Sequence, residues 1–332
     1  MSKEVRNDSD ILLSIRDLEV VYTSAGAVVH AVNGVSIEVK RGKSLGLVGE
    51  TGAGKTTIAK SILRVLPDPP AKVLQGQILL DGEDVLKIPE KEMRKIRGKK
   101  VSMIFQDPMT ALNPLMHVGD QIAEVISLHE HLNKKEAMKR AMEMLEMVGI
   151  PAERYGEYPH QFSGGMKQRV VIAIALACNP ELLLADEPTT ALDVTIQAQV
   201  MDMIANLQKK LNTAMILITH DLGIVAESCD DVAVIYAGQI VEYADKMELF
   251  LNPMHPYTVG LFGSIPSLVA DVDRLTSIPG LPANPEKLPS GCHFHPRCSQ
   301  CTAACKDGKI PFVEVKPGHF VRCAKYRGSD VQ

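Results

Sequence analysis

A glycine-rich segment restricts the possible folds of this chain more than any other feature. Residues 49–57 read Gly-Glu-Thr-Gly-Ala-Gly-Lys-Thr-Thr, which fits the pattern G-x-x-x-x-G-K-[ST]. An apolar run (45–48) precedes the segment, and a helix-forming run (58–63) follows it. Strand, glycine turn and helix form the context in which consecutive backbone N–H groups surround a phosphate chain at a helix N-terminus. The segment, called the phosphate loop below, therefore predicts a site for a nucleoside triphosphate.

Four side chains in two places supply the chemistry that such a site needs. Lys55 carries a positive charge for the β- and γ-phosphates, and the hydroxyl of Thr56 is placed to ligate Mg²⁺. Further along, an apolar run that predicts a buried strand ends in Asp186 and Glu187. We expect Asp186 to bind the same Mg²⁺ as Thr56, through water. We expect Glu187 to orient or deprotonate the attacking water.

Further polar groups follow other predicted strands or open a helix. Gln106 follows the apolar run 101–105, which predicts a buried strand that ends at Phe105, and His220 follows the apolar run 214–219. Because ligands of open α/β sheets bind outside the carboxyl ends of the strands, we expect both at the ligand-binding edge of the sheet, where His220 could contact the γ-phosphate. Ser163, Gly164 and Gly165 precede a predicted helix, so they form a second candidate turn for binding an anion.

The full set of residues predicted to contact the nucleotide combines these segments. Its members are Tyr22, Gly49, Glu50, Thr51, Gly52, Ala53, Gly54, Lys55, Thr56, Thr57, Gln106, Ser163, Gly164, Gly165 and Asp186. Tyr22, at the end of a predicted strand, either stacks on the base or is simply one more strand-forming residue. The residues considered alone leave these two interpretations open.

Composition and charge argue against some classes of function. A length of 332 residues suggests about two domains. A net charge of −4 and the absence of Trp argue against a basic or base-stacking nucleic-acid surface. Residues 1–10 are polar and lack the apolar core of a signal peptide, and the longest uncharged apolar run, 170–178, is well short of the ~20 residues of a membrane helix. We therefore expect an intracellular protein that reaches a membrane only through a partner.

The periodicity of apolar residues predicts the layout of the remaining elements. Short apolar runs separated by glycine predict antiparallel strands in residues 11–48, and residues 76–82 predict a strand that ends in an Asp-Gly turn. Residues 118–131 and 134–148 are predicted helices of an inserted helical subdomain, about residues 107–165. Three residues at helical spacing are predicted to fill its core: Met138, Met142 and Leu145.

In order and spacing, these motifs resemble those of the ATP-binding subunit of ABC transporters, over about residues 10–255. The corresponding segments are Walker A (49–56), the Q-loop (Gln106), the signature (163–166), Walker B (Asp186 and Glu187), the D-loop (Ala191, Leu192 and Asp193) and the H-loop (His220). Met166 stands where the general signature has Gln. The same Ser-Gly-Gly-Met variant is usual in the oligopeptide and dipeptide importer branch.

This resemblance implies a fold, an activity and a set of partners. The fold is an α/β P-loop NTPase with a RecA-like core, an antiparallel β subdomain and a helical subdomain. Two subunits sandwich two ATP molecules head-to-tail, so that Lys55 of one faces the turn at Ser163 of the other, and hydrolysis opens the sandwich. The implied partners are a second, distinct ATPase subunit, two transmembrane permease subunits and, indirectly, an extracellular solute-binding protein, with this chain peripheral on the cytoplasmic face of the membrane. The resemblance also implies catalytic roles for Glu187, His220, Gln106 and Lys55, and contacts of Gln106 with the γ-phosphate and Mg²⁺.

Residues 256–332 differ from the rest of the chain, because they are rich in Pro and Gly and contain five of the seven cysteines. We expect a small, irregular extension that binds metal, since clustered cysteines in an intracellular protein hold metal more often than they form disulfides. The segment around Cys292 and Cys298 resembles the extension of dipeptide and oligopeptide importer ATPases, some of which carry a [4Fe–4S] cluster. That cluster requires four thiolates, here assigned to Cys292, Cys298, Cys305 and Cys323.

Two alternatives for these cysteines stay open at the level of sequence. Cys301 is a fifth cysteine, and it could replace one of the four assigned ligands. Zinc is the alternative metal, because His293 and His295 could complete a tetrahedral Cys/His site. Cys178 and Cys229 lie in apolar runs, which predicts buried and unreactive thiols.

These observations favour an ATPase that powers import of dipeptides or oligopeptides. Nickel or another small solute is the alternative within the same branch, because the solute is selected by subunits outside this chain. A soluble ABC ATPase that acts on ribosomes or DNA is the alternative from another class. Such a protein would be expected to have two ATPase cassettes or a long coiled-coil insertion, and neither pattern is visible.

Overall fold

The computed structural model describes residues 10–24, 26–190, 192–263 and 278–327. Two features named above lie wholly or mostly outside these ranges: the polar stretch 1–10, of which only Asp10 is described, and Ala191 of the predicted D-loop. The strands are β1 (Ile11–Ser24), β2 (Ala27–Lys40), β3 (Ser44–Val48), β4 (Ala71–Leu80), β5 (Glu83–Asp84), β6 (Val101–Ile104), β7 (Leu182–Asp186), β8 (Ala214–Ile218), β9 (Asp231–Tyr236), β10 (Gln239–Asp245), β11 (Val313–Lys316) and β12 (His319–Val321).

The α-helices alternate with these strands and are concentrated between β5 and β9. They are α1 (Lys55–Ile62), α2 (Glu90–Ile96), α3 (Pro108–Ala111), α4 (Val118–Glu130), α5 (Lys134–Met147), α6 (Gly164–Leu176), α7 (Val194–Leu211), α8 (Leu222–Ser228), α9 (Lys246–Leu251) and α10 (Pro256–Phe262). In the part of the chain that the structure describes, no helix is both long enough and apolar enough to cross a membrane.

Two compact units are built from interleaved stretches of the chain. The first unit comprises the described residues within 1–12, 39–44 and 87–217, and the second those within 13–38, 45–86 and 218–332. In the first unit, β7 lies between β6 and β8, and β6 runs parallel to β7. Every residue of these three strands is buried. Continuous apolar strands of this kind are typical of a parallel sheet covered on both faces.

Two helices of the first unit, α5 and α7, begin at well-formed caps. Asn133 and Glu136 form a capping box at the start of α5, in which each side chain accepts a hydrogen bond from the backbone N–H of the other residue. Asp193 caps α7 by accepting from the N–H of Ile196 at 3.0 Å. α4 packs against both α5 and α6, so the apolar sides of these helices share one core.

Two predictions for this unit are wrong in detail. Phe105 was expected to end a buried strand, but β6 ends at Ile104 and the Phe105 side chain is 44% exposed. Met138 was expected in the core of the helical segment, but it is 39% exposed. Leu145 is fully buried, as predicted, whereas Met144 is buried in place of Met138, because the apolar face of α5 is rotated relative to the predicted stripe.

The second unit contains two groups of strands. One is the four-stranded sheet β2-β1-β4-β5, in which β1 and β4 are antiparallel. The other has the order β11-β12-β10-β9-β3, with β3 parallel to β9 and the other neighbours antiparallel. The strands predicted before the phosphate loop are present, and β1 is antiparallel to β4, but β3 is parallel to β9, so the predicted antiparallel arrangement is wrong for β3. The predicted turn at Asp81 and Gly82 is confirmed.

The C-terminal segment is more regular than predicted. α10 opens it, and β12 pairs with β10 through Glu242 opposite Val321. The expectation of an irregular extension was therefore wrong for these residues. The strands β11 and β12 have four and three residues, which is too short for an alternating pattern to stand out, and their pairing partner lies far away in sequence.

Candidate active site

The phosphate loop connects β3 to α1 and requires glycine at particular positions. Gly49, Gly52 and Gly54 all have positive φ, at 156°, 79° and 103°. A Cβ atom on Gly49 would collide with the carbonyl oxygen of Ile235, and one on Gly54 with the carbonyl oxygen of Ala31. At Gly49 and Gly54 the backbone therefore has no room for a side chain, as expected for a turn whose N–H groups face a ligand.

The side chains at the start of α1 are held close to the loop. Lys55 is buried, and its ammonium group donates to the carbonyl oxygens of Gly49 at 2.7 Å and Glu50 at 3.0 Å. The hydroxyl groups of Tyr22 and Thr57 share a hydrogen bond of 3.2 Å. Tyr22 thus lies beside the helix that begins the predicted nucleotide site, whereas its predicted contact with a base stays a prediction.

In the first unit, the structure brings Gln106 and Glu187 into direct contact. The Gln106 side-chain amide donates to Oε2 of Glu187 at 2.9 Å, and the Thr190 hydroxyl donates to the same oxygen at 3.0 Å. Glu187 follows the buried Asp186 at the end of β7 and has a positive φ of 46°. A non-glycine residue in this region is strained, which is common where a side chain must be aimed at a site. Sequence analysis missed Thr190, although its position three residues after Glu187 could have indicated a contact with that side chain.

The Ser-Gly-Gly turn lies at the N-terminus of α6. The hydroxyl of Ser163 caps the helix by accepting from the N–H of Met166 at 3.3 Å. Gly164 is the first residue of the helix, and Ser163 and Gly164 are exposed. A Cβ atom on Gly165 would approach Cγ2 of Ile196 to 2.7 Å, so the turn packs closely on α7. The exposed cap leaves the first N–H groups of α6 at the surface of this unit.

Met166, the residue that departs from the general signature, is braced by an arginine. Nη1 of Arg154 lies 3.3 Å from the Met166 sulfur, and its guanidinium stacks 4.4 Å from the centre of the Phe162 ring. Arg154 also pairs with Glu157 at 2.6 Å. Because Phe162 and Met166 flank the Ser-Gly-Gly turn, Arg154 fixes both sides of it. The sequence offered no signal for this role.

His220, the last of the predicted catalytic residues, lies directly beyond β8 in an exposed bend. The next residue, Asp221, caps α8 by accepting from the N–H groups of Gly223 and Ile224. The position of His220 is therefore fixed by a strand on one side and a capped helix on the other.

The four cysteines assigned from the sequence line a single cavity of about 190 Å³. Cys292, Cys298, Cys305 and Cys323 all contribute to its wall, together with His255, His295 and Phe294. Cys301 is not among the residues that line it. The N–H of Cys292 donates to the carbonyl of Cys305 at 2.9 Å, which fixes two of the four positions relative to each other. The donor set is the one that a [4Fe–4S] cluster needs.

The thiols of this cavity share an unfavourable electrostatic environment. Burial, together with the nearby thiols of Cys323, Cys305 and Cys298, raises the pKa of Cys292 to about 11. Burial followed by the neighbouring thiols also raises the pKa of Cys298 and of Cys323. Burial and the mutual repulsion of neighbouring thiolates therefore favour the protonated form of Cys292, Cys298 and Cys323.

The histidines considered for zinc are arranged differently from each other. The Nδ1–H of His293 donates to the carbonyl of Ala237 at 3.1 Å, and His293 does not line the cavity. His295 does line it, and its Nδ1–H donates to the carbonyl of Cys292 at 3.0 Å. Among the described residues, no group of three or more His, Cys, Asp or Glu side chains is arranged to hold a single metal ion.

The two other cysteines are buried, as predicted. Burial raises the pKa of Cys178 to about 11 and that of Cys229 to about 12. A thiol with so high a pKa is almost entirely protonated at neutral pH and reacts poorly as a nucleophile.

An ion pair that the sequence did not indicate links the C-terminal segment to the phosphate loop. Nη1 of Arg297 lies 2.8 Å from Oε2 of Glu50, and Nη2 lies 3.1 Å from Oε1. The hydroxyl of Tyr257 accepts from the backbone N–H of Glu50 at 3.0 Å. No short-range pattern connects residues separated by more than 200 positions, so this contact could only be found in the structure.

Comparison with known proteins identifies the family. Residues 32–190 match the ABC transporter family, and residues 241–305 match the C-terminal region of the oligopeptide/dipeptide transporter family. The oligopeptide transport ATP-binding protein OppD of Bacillus subtilis (strain 168) is 49% identical over 314 residues, which cover 94% of this chain and 88% of OppD. This chain belongs to the ATP-binding proteins of ABC transporters. It is therefore an ABC ATPase.

Other relatives and solved structures agree with this assignment of the ABC ATPase. The dipeptide transport ATP-binding protein DppD of the same Bacillus strain is 48% identical over 315 residues, 94% of each chain. Among solved structures, the dimeric ATP-binding cassette MJ0796 in a post-hydrolysis state with ADP and Pi matches with a TM-score of 0.64 at 25% identity. The match covers 70% of this chain and 98% of that one. The P-loop ABC ATPase fold with its mixed sheets is confirmed.

Proposed function

We propose that this ABC ATPase hydrolyses ATP to drive the import of dipeptides or oligopeptides across the cell membrane. The main support for this proposal comes from the family match and the contacts of the C-terminal region. Residues 241–305 match the region specific to oligopeptide/dipeptide transporters, and this segment contacts the phosphate loop directly through Arg297 and Glu50. The names of relatives aligned over nearly the whole chain support the same cargo.

In the proposed reaction, the carboxylate of Glu187 orients the attacking water and accepts its proton. Gln106 and Thr190 both donate to one carboxylate oxygen, Oε2. These two contacts restrict the rotation of the carboxylate. We propose that they direct its other oxygen, Oε1, towards the attacking water. Such positioning is the main contribution that a protein makes to phosphoryl transfer.

The remaining predicted residues bind the substrate in this proposal. The N–H groups of the phosphate loop and the ammonium group of Lys55 hold the phosphates, while Tyr22 packs against the base and His220 contacts the γ-phosphate. Thr56 and Asp186, with Gln106, would hold Mg²⁺, which would supply positive charge against the phosphates.

We further propose the partners that the family implies. Two ATPase subunits, this one and a distinct second one, close on ATP with the turn at Ser163 of each facing the phosphate loop of the other. The exposed cap at Ser163 and Gly164 supports this arrangement, because its N–H groups lie at the surface of the first unit. Two transmembrane permease subunits anchor the pair on the cytoplasmic side, and an extracellular binding protein delivers the solute. Residues 1–255 form the nucleotide-binding domain, with the helical subdomain at about 107–165, and residues 256–332 form the extension.

Reconstitution of the complete transporter in liposomes tests the proposed cargo. ATP hydrolysis should rise when the binding protein is loaded with a mixture of dipeptides or oligopeptides, and labelled peptide should cross the membrane only with ATP present. Stimulation by nickel with no response to peptides would contradict the proposal and identify the alternative solute.

We also propose that the cysteine cavity holds a [4Fe–4S] cluster bound by Cys292, Cys298, Cys305 and Cys323. A tetrahedral zinc ion needs its ligands about 2.0–2.3 Å from one point, whereas each cysteine of a cluster binds a different iron, so the thiols stand further apart. Four thiols around a cavity of about 190 Å³ fit the second arrangement. The cluster would join four separate positions of a small segment and so stabilise it.

Two matched serine variants test this assignment without reference to activity. Protein purified without oxygen should be brown and contain about four irons per chain. Cys298→Ser should lose most of the iron, whereas Cys301→Ser, which alters a cysteine outside the cavity wall, should retain it. A colourless protein that contains zinc, or equal loss of iron from both variants, would contradict the proposed ligand set.

A further inference from the structure

The phosphate loop contains an acidic residue, Glu50, whose charge is unfavourable for its ligand. A carboxylate beside a triphosphate repels it, and this repulsion is strong where water is partly excluded. The Glu50 side chain is only 24% exposed. Its charge must therefore be balanced locally if the loop is to bind an anion.

Arg297 supplies this balance through a bidentate ion pair. The two guanidinium nitrogens lie 2.8 and 3.1 Å from the two carboxylate oxygens, and the Arg297 side chain is only 6% exposed. Paired contacts of this kind are both strong and specific in geometry. The pair therefore neutralises Glu50 and also fixes the direction of its side chain.

The guanidinium group is itself rigidly held. Its Nε–H donates to the carbonyl of Pro279 at 2.9 Å, and Nη2 also donates to the carbonyl of Ile278 at 3.3 Å. Nη1 reaches the hydroxyl of Tyr236 at 3.5 Å. Together with the two contacts to Glu50, these bonds can engage all five N–H groups of the arginine. Arg297 is thus positioned before a nucleotide arrives.

Two other contacts tie the same segment to the loop. The Tyr257 hydroxyl accepts from the backbone N–H of Glu50, so side chain and backbone of this residue are both held. His293 donates to the carbonyl of Ala237, and the N–H of the next residue, Gly238, donates to the carbonyl of Ala53 at 3.0 Å. The C-terminal segment therefore contacts the first half of the phosphate loop directly, and it contacts the turn at Ala237 and Gly238 that in turn bonds to the second half.

We propose that Arg297 is a positioning residue for ATP binding, which cancels the charge of Glu50 and holds the phosphate loop in its binding conformation. The C-terminal extension then forms part of the nucleotide site rather than a separate attachment. The proposal requires that the phosphate loop bind ATP. It does not depend on which solute is transported or on which metal occupies the cysteine cavity.

A double-variant design separates charge balance from general damage to the extension. Arg297→Ala should weaken binding of ATP to the full-length chain by about tenfold, within the usual range of coupling between sites. It should raise KM for ATP much more than it lowers kcat. Removing the repelling charge as well, in Arg297→Ala with Glu50→Gln, should restore most of the affinity, and Arg297→Lys should retain part of it.

Arg322 provides a matched control, since it precedes Cys323 as Arg297 precedes Cys298. Its guanidinium donates to the carbonyls of Ile240 and Ile310 and lies 5.2 Å from the centre of the Phe312 ring. Arg322→Ala therefore disturbs the cysteine segment without touching Glu50. We expect its ATP affinity to stay within about twofold of the wild type, while its thermal unfolding midpoint falls as in other losses of buried hydrogen bonds.

Calorimetric titration with ATP and Mg²⁺ decides the outcome. Unchanged affinity in Arg297→Ala, no recovery in the double variant, or an equal loss in Arg322→Ala would each overturn the proposal. Lys55→Ala tests the underlying site separately, because it should abolish ATP binding. If Lys55→Ala binds ATP normally, the assignment of the phosphate loop fails. If only the Arg297 predictions fail, the assignment of the loop stands.

Discussion

The amide of Gln106 and the carboxylate of Glu187 are joined by a hydrogen bond of 2.9 Å, although 81 residues separate them in sequence. Gln106 lies just beyond β6 and Glu187 just beyond β7, and these strands are parallel neighbours. Parallel strands bring their carboxyl ends to the same edge of a sheet, where open α/β proteins bind ligands. The contact thus follows directly from the pairing of the two strands.

Thr190 should prove to be a positioning residue for this carboxylate. Thr190→Val keeps the shape of the side chain but removes the hydroxyl that donates to Oε2 of Glu187. A hydrogen bond to a charged group contributes about 1.5–3 kcal/mol, which corresponds to about a 10- to 100-fold fall in kcat with KM for ATP unchanged. Thr190→Ser, which retains the hydroxyl, should keep most of the activity. Steady-state ATPase kinetics on the assembled complex check both variants, and equal kcat values for Val and Ser would refute the role.

His319 should make the stability of the C-terminal segment depend on pH. The ring is fully buried; Nε2 lies 2.7 Å from Oε1 of Glu242, and Nδ1 lies 3.3 Å from Oε1 of Glu248. Burial lowers the pKa of His319, but the two carboxylates outweigh it, and the pKa is raised above its usual value. Protonated His319 therefore stabilises the fold below pH ~6.5, the ordinary histidine pKa, and this contribution is lost as pH rises through the folded-state pKa.

Thermal unfolding followed by circular dichroism measures this effect, with His319→Gln as the comparison. The wild type should be more stable than His319→Gln at pH 6, and the difference should shrink as the pH rises towards 9. Burial lowers the pKa of His255 to about 4, so this residue destabilises the fold at acidic pH. The effect is present in both proteins and therefore cancels when their stabilities are subtracted. A difference that is constant over this range would show that the charge of His319 does not contribute.

Truncation of two methionines of α5 should change the free energy of unfolding by very different amounts. Met144 is fully buried and Met138 is 39% exposed. Met144→Ala should lower the free energy of unfolding by about 2–5 kcal/mol, the usual cost of a cavity in a core. Met138→Ala should change it by less than about 0.5 kcal/mol, as expected for a surface residue. Urea denaturation monitored by circular dichroism distinguishes them, and similar losses in both would restore the stripe predicted from sequence spacing.

The elements that sequence analysis predicted well are those whose pattern is local. The strands β3, β7 and β8 are continuous apolar runs that are buried along their whole length, so composition alone indicates them. The phosphate loop is equally local, because its glycines, lysine and threonines are consecutive. The four cysteines assigned from the sequence all line one cavity, but their role as metal ligands stays a prediction, and the preference for iron–sulfur over zinc relied on a resemblance rather than on spacing.

The features that sequence analysis missed depend on contacts over long distances. The pairing of β12 with β10 joins positions about 80 residues apart, and β12, with three residues, is too short to show a pattern. The pair Arg297 and Glu50 spans 247 residues. Phe105 was misjudged for a different reason, because an apolar residue beyond the last ladder position of a strand is not held in the core by the sheet. In each case a tertiary contact, or its absence, determines the structure, and the local sequence does not indicate it.

Replacement of Glu187 alone tests most directly whether this residue activates water for ATP hydrolysis. The ATPase rate and the affinity for ATP should both be determined for Glu187→Gln in the assembled transporter. We predict unchanged ATP affinity and a loss of turnover of at least about 100-fold, because a general base contributes about 10²- to 10⁴-fold. Turnover at the wild-type rate would contradict the account.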